Sequence, residues 1–190
     1  MTNTQVTNEP WITTHSGRQF FPLSPREEDI EIEDIAHHLS LINRFSGATR
    51  EPYSVAEHSV RVSYLLPPNL ALWGLLHDAP EAYILDMATP IKMNTNLGFV
   101  YRGVEKGIMR VICRKFGLSE EEPPEVKIAD RIMLVTEKRD LLIHNPKHPS
   151  WNIEAEPLRD FIHQVTWRKA KIAFMERFVE AVKFNNAPEN

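Results

Sequence analysis

Apolar residues recur along most of this chain at intervals of three and four, the spacing that lines one face of an α-helix. Ile32, Ile35, Ala36, Leu39 and Ile42 form the first such set, with Gly47 just beyond it as a stop. Ser54 and Glu57 have capping-box spacing at the head of a second helix, which carries Val55, Val60, Val62 and Leu66 before Pro67-Pro68 closes it. A third begins near Asn69, carries Leu70, Leu72, Trp73, Leu75 and Leu76, and runs into His77-Asp78. Pro80 follows at once and removes an amide donor, which predicts a kink or a new helical turn. Residues 86–95 read as a loop. Helical spacing resumes from about Leu97 to Phe116, stops at Gly117, and restarts after Pro123-Pro124 to run to about Ile143. A loop over 144–154 then leads to a last long helix, about 156–184, carrying Leu158, Phe161, Ile162, Val165, Ile172, Phe174 and Phe178. No strand-like alternation and no internal repeat interrupts this pattern. The expectation is an all-α fold: a compact bundle of six to eight helices over 31–184, an extended N-terminal arm over 1–30, and a short tail over 185–190.

Composition narrows the classes without choosing among them. The chain has 190 residues, 42% hydrophobic and 25% charged, enough for one ordinary globular core. Net charge is −4 and the basic residues are scattered, so no nucleic-acid partner is expected. The polar N-terminus has no apolar signal segment, and the longest apolar run, Leu70–Leu76, is far short of the roughly 20 residues a membrane span needs. A cytoplasmic protein without a membrane partner is expected. The single cysteine, Cys113, has no internal disulfide partner and reads as a buried core thiol.

Chemistry concentrates in His58, His77-Asp78 and Asp130, each set among apolar helix residues (VAEHSV, LLHDA, IADRIM). Burying two imidazoles and two carboxylates is unfavourable unless a counter-charge compensates them, and one divalent cation would serve all four. A mixed imidazole and carboxylate set suits Mn, Fe, Co or Zn, with Mg also compatible.

These motifs resemble the HD-domain phosphohydrolases, in particular the small bacterial and phage branch that includes 5′-deoxynucleotidases. The resemblance spans about residues 16–180 and rests on SGRQFFPL, IEDIAHHLSLINRFSG, YSVAEHSV, HDAPEAYILDMATPIK and ADRIMLVTEKRDLL. It implies an HD-domain helical bundle, a homodimer, and one metal held by His58, His77, Asp78 and Asp130. It implies further that Glu81 positions the attacking water and that Asp86 lies near the sugar and leaving oxygen. Arg44 matches the arginine that meets the phosphate, and Lys92 is a further phosphate-contact candidate. Phe45 stands where that branch typically has a tryptophan against the sugar, so selection of deoxyribose is less strictly implied. No histidine lies between Asp78 and Asp130, which fits one metal rather than two.

The implied reaction is release of phosphate from (deoxy)nucleoside 5′-monophosphates by in-line attack of a metal-activated water. The alternatives are a dNTP triphosphohydrolase and a catalytically silent nucleotide-binding protein; the presence of all four ligands with Glu81 and Asp86 weighs against the silent form. His37 and His38 are expected to be structural, and His15, His144, His148 and His163 solvated. Glu137, Arg139 and Asp140 are expected to form a structural ion-pair network. Trp11, Trp151, Trp167, Phe161, Phe174 and Phe178 are read as core or dimer contacts.

Overall fold

The protein is described by a computed structural model over residues 9–147, 151 and 153–185. It is all-α. The chain runs through α1 (Ile32–Leu41), α2 (Val55–Tyr64), α3 (Ala71–Leu76), α4 (Glu81–Ile84), α5 (Thr89–Asn94), α6 (Asn96–Phe116), α7 (Pro124–Leu141) and α8 (Trp167–Asn185). Among the described residues no helix is long and apolar enough to cross a membrane. His148, the first eight residues and most of the C-terminal tail lie outside the described residues.

The local signals explain most boundaries. Ser54 Oγ accepts the Glu57 amide at 3.1 Å and caps α2. The Glu57 carboxylate does not complete the reciprocal cap bond; it accepts from Arg61 Nη2 at 2.8 Å and from the Val165 amide at 3.1 Å. Gly117 ends α6 with φ +67°, a left-handed conformation that glycine adopts without a Cβ clash. After Pro80 the chain starts a new helix, α4, in place of a longer α3.

The principal core gathers Ile35 and Leu39 of α1, Leu72, Leu75 and Leu76 of α3, Ile112 of α6 and Phe174 of α8. A second cluster joins Tyr53, Val62, Cys113, Val126 and Met133. Cys113 is buried and unpaired as expected, and burial pushes its thiol up to about 11.

Five expectations need correction. First, α1 stops at Leu41 instead of running on towards Gly47. Backbone pairing takes over there: the Arg44 amide donates to Tyr53 O and the Val55 amide to Ile42 O, each at 2.9 Å. Second, residues 89–94 form α5, with Pro90 in the first turn, where its missing N–H costs nothing. Gly98 allows this helix to pack closely, because a Cβ there would lie 2.2 Å from the Lys92 carbonyl oxygen. Third, the last helix starts only at Trp167. The apolar spacing at Leu158, Ile162 and Val165 is helical, but their amides are taken by side chains of other elements. Thr136 Oγ1, Asp140 Oδ2 and Glu57 Oε2 accept them at 2.9, 2.9 and 3.1 Å, which holds 158–165 as a non-helical strap. Fourth, Phe161 is 66% exposed, under the Arg139 guanidinium, which excludes the core from the two places expected for it, core or dimer contact.

Fifth, two short strands, Ile12–Thr13 and Gln19–Phe20, pair antiparallel. The turn between them is pinned to α1 by the buried Asp34, which accepts the Ser16 amide and hydroxyl at 2.6 and 2.8 Å. Phe20, Phe21 and Ile30, from the segment read as an arm, are buried in the molecule.

Arg177 of α8 is buried against α2, donating Nε to Ser63 Oγ at 2.8 Å and Nη2 to the Ser63 carbonyl at 2.9 Å. Arg177→Ala is expected to leave these acceptors unmatched and cost about 2–3 kcal/mol. Denaturant unfolding that shows no loss would place the helix contact elsewhere.

Candidate metal centre

His58 lies in the first turn of α2, and His77-Asp78 directly follows α3. Asp130 lies on α7. Three separate elements therefore bring these side chains to one point. His58 Nε2 is 3.2 Å from His77 Nε2, 3.2 Å from Asp130 Oδ1 and 3.7 Å from Asp78 Oδ2. His77 Nε2 is 3.3 Å from the same Asp78 oxygen. Ligand atoms of His58, His77 and Asp130 all lie within 4.8 Å of one another, a grouping that could hold a metal ion.

The far nitrogen of each imidazole is already engaged. His77 Nδ1 donates to the Gly74 carbonyl at 2.7 Å, one turn earlier in α3. His58 Nδ1 donates to Glu137 Oε1 at 2.6 Å. With both Nδ1 atoms protonated, the neutral rings present their Nε2 lone pairs to each other, an arrangement that requires a proton or a cation between them. The donor set therefore fits a divalent metal.

Glu137 organises this arrangement more than its sequence setting suggests. Its side chain is fully buried and also accepts from Tyr53 Oη at 2.9 Å and Arg44 Nε at 3.1 Å. Arg44 Nη1 reaches Asp78 Oδ2 at 3.5 Å. Glu137 thus belongs to the cluster, whereas Arg139 and Asp140 form an ion pair at 2.6 Å that anchors the strap. The signal available in the sequence was its spacing: seven residues past Asp130 is close to two full turns, so both face one way from α7.

The electrostatics follow from this crowding. Burial opposes charge on His77, but the Asp78 and Asp130 carboxylates outweigh it and raise its pKa to about 9. Burial likewise opposes ionisation of Asp78, and His77, His58 and Arg44 hold it well below the usual carboxylate range. Glu81 has no such cation in contact. It is buried, its Oε2 has no hydrogen-bond partner among the described residues, and burial with the nearby Asp78 and Asp86 charges pushes its carboxyl well up.

The remaining candidates lie around this centre. Asp86 is at the surface after α4. Lys92 is occupied by Glu105 at 2.6 Å and lies 5.4 Å over the Tyr101 ring, so its ammonium is committed to α6. Phe45 follows Arg44, with its ring 5.4 Å from the Arg44 guanidinium carbon. His37 and His38 have structural roles as expected. His38 donates from Nδ1 to the Ala82 carbonyl at 2.7 Å and accepts the His15 amide at 3.0 Å, while the His15 ring stacks on His37 at 3.5 Å. His144 and His163 are exposed.

No protein-family model matches the chain. The uncharacterized protein YfdR of Escherichia coli (strain K12) is 44% identical over 131 residues, covering 69% of this chain and 72% of YfdR. The chain belongs to the YfdR family. A second relative is the uncharacterized protein RCAP_rcc00048 of Rhodobacter capsulatus, 39% identical over 128 residues. That match covers 63% of this chain and 64% of the relative, just under two thirds of its length.

Two outcomes test the centre of this YfdR-family chain. Glu137→Gln keeps an acceptor for His58 but removes its charge, and is expected to weaken Mn²⁺ binding by roughly 10- to 100-fold in a calorimetric titration. An unchanged affinity would show that Glu137 does not act on His58. Because the metal-free His77 holds its proton up to about 9, a metal must displace it, and binding is expected to tighten as pH rises. The expected slope between pH 6 and 8 is about tenfold per unit for one displaced proton. A flat profile would contradict the protonated resting state.

Proposed function

We propose that this protein is a metal-dependent phosphohydrolase of the HD type that releases orthophosphate from nucleoside 5′-monophosphates, deoxynucleotides being the preferred class. The observation that carries this reading is the convergence of two imidazole Nε2 atoms with the Asp78 and Asp130 carboxylates. Beside them stand the buried Glu81 carboxyl, whose Oε2 has no hydrogen-bond partner among the described residues, and the largely enclosed Arg44 guanidinium. The resemblance of the spaced motifs to HD phosphohydrolases supplies the substrate class.

His58, His77, Asp78 and Asp130 would hold the ion. When bound, a divalent metal lowers the pKa of water towards roughly 7 and offsets phosphate charge. Arg44 supplies a planar fork for the non-bridging oxygens; it is kept cationic because the Glu137, Asp78 and Asp130 charges outweigh the cost of its burial. With positive charge seated at the cluster, the Glu81 carboxyl is lowered from its raised value and ionises more readily, so that it can accept the proton of the attacking water. Water oxygen bonds to phosphorus as the bond from phosphorus to the 5′-oxygen breaks; the Asp86 carboxyl gives its proton to that leaving oxygen, and the proton taken by Glu81 passes through solvent to restore Asp86. The products are a nucleoside and orthophosphate. Lys92, paired with Glu105, has a positioning role in this scheme, holding α5 against α6.

The test is product analysis with metal-stripped protein supplied with Mn²⁺, Co²⁺, Zn²⁺ or Mg²⁺. The substrates are dAMP, dGMP, dCMP, dTMP, AMP and the corresponding dNTPs. Orthophosphate and nucleoside from the monophosphates are expected, with essentially all activity lost in Asp130→Ala. Tripolyphosphate release, or cleavage confined to dNTPs, would move the protein to the triphosphohydrolase class. Hydrolysis that persists in Asp130→Ala would remove the metal centre from the reaction.

A further inference from the structure

Phe45 sits in a backbone conformation that demands a reason. Its φ is 54° and its ψ 30°, followed by left-handed Ser46 (φ 51°) and Gly47 (φ 78°). A bulky side chain rarely occupies this region, and such strain persists only where surrounding contacts impose it, commonly at ligand sites. Here the contacts are the Arg44 amide on Tyr53 O at 2.9 Å and the Ala48 amide on Phe45 O at 3.0 Å. The Phe45 ring lies 5.4 Å from the Arg44 guanidinium carbon and stacks with Trp151 at 6.2 Å between centroids and 29° between planes. That separation is near the upper end of the roughly 4.5–7 Å range for aromatic pairs, which leaves the indole only partly covered. Trp151, expected as a core or dimer contact, is 46% exposed and so lies outside the core, and the Lys138 ammonium stands 5.2 Å from its ring.

Outward from the metal cluster the contacts therefore run Asp78, Arg44, Phe45, Trp151. A charged centre, a cationic fork, a first ring and a second, half-exposed ring follow in the order in which a nucleotide presents phosphate, sugar and base. We propose that Trp151 is a specificity-determining residue whose indole stacks on the base of the substrate, with Phe45 as the ring that carries the sugar to it. This rests on the nucleotide reading above. Every base has a π-face, so the platform recognises that a base is present without choosing which one.

The test compares dAMP with 2-deoxyribose 5-phosphate, which keeps the phosphate and sugar and lacks the base. The readout is the ratio of their kcat/KM values in the wild type, Trp151→Ala and Trp151→Phe. Trp151→Ala is expected to lower the preference for dAMP by roughly 5- to 150-fold, carried by KM, the scale of one lost base stack. Trp151→Phe is expected to restore most of it. Loss of activity on both substrates in equal proportion, or no change in the ratio, would overturn the platform and leave the phosphohydrolase reading intact. A wild type that cleaves 2-deoxyribose 5-phosphate as well as dAMP would also overturn it. A wild type that cleaves neither would overturn the nucleotide reading and this inference together.

Discussion

Much of this molecule is arranged around one buried carboxylate. Glu137 accepts hydrogen bonds from His58, Tyr53 and Arg44, with no exposure to solvent. A carboxylate taken out of water without partners is strongly unfavourable, so these three donors must be delivered together. Delivering them fixes α2, the segment after α1, and α7 relative to one another. It also fixes the tautomer of His58 and the direction of Arg44. A buried ion pair is weak evidence for stability, because an apolar replacement is often as stable. Its contribution here is organisational: it sets which atoms face the cluster.

The rest of the fold serves that arrangement at longer range. Glu57, on the same helix as His58, gives up its own cap bond to hold the strap at Val165. Asp140, just past Glu137 on α7, holds the same strap at Ile162. The strap therefore ties α2 to α7. Lys92 and Glu105 join α5 to α6, and Gly98 permits the close approach of the two backbones. Among the described residues Glu81 Oε2 is buried without a hydrogen-bond partner, a costly condition that a neighbouring cation would relieve.

The elements that rested on one local rule were legible in the sequence. The Ser54 cap, the Gly117 stop and the break at Pro80 each depend on nearby backbone chemistry, and each stands where the residues suggest. The His58, His77 and Asp130 cluster was legible for a different reason: polar residues on apolar helix faces need a common solution. What escaped was set by partners far away in sequence. The 158–165 segment has helical spacing, yet its amides go to Thr136, Asp140 and Glu57. Glu137 was expected in a structural ion-pair network with Arg139 and Asp140, and only the fold shows that its partners are Arg44, Tyr53 and His58. Trp151 was read as a core or dimer aromatic, and only the fold shows that it is half exposed beside Phe45.

If the facing imidazoles and carboxylates form a single metal centre, the metal stoichiometry of stripped and reloaded protein must show it, in the wild type, His77→Ala and Asp130→Asn. One Mn²⁺ per chain is expected in the wild type and loss of that ion in both variants, with the helical signal preserved. A wild type that binds no divalent ion, or variants that both retain it at full occupancy, would rule the centre out.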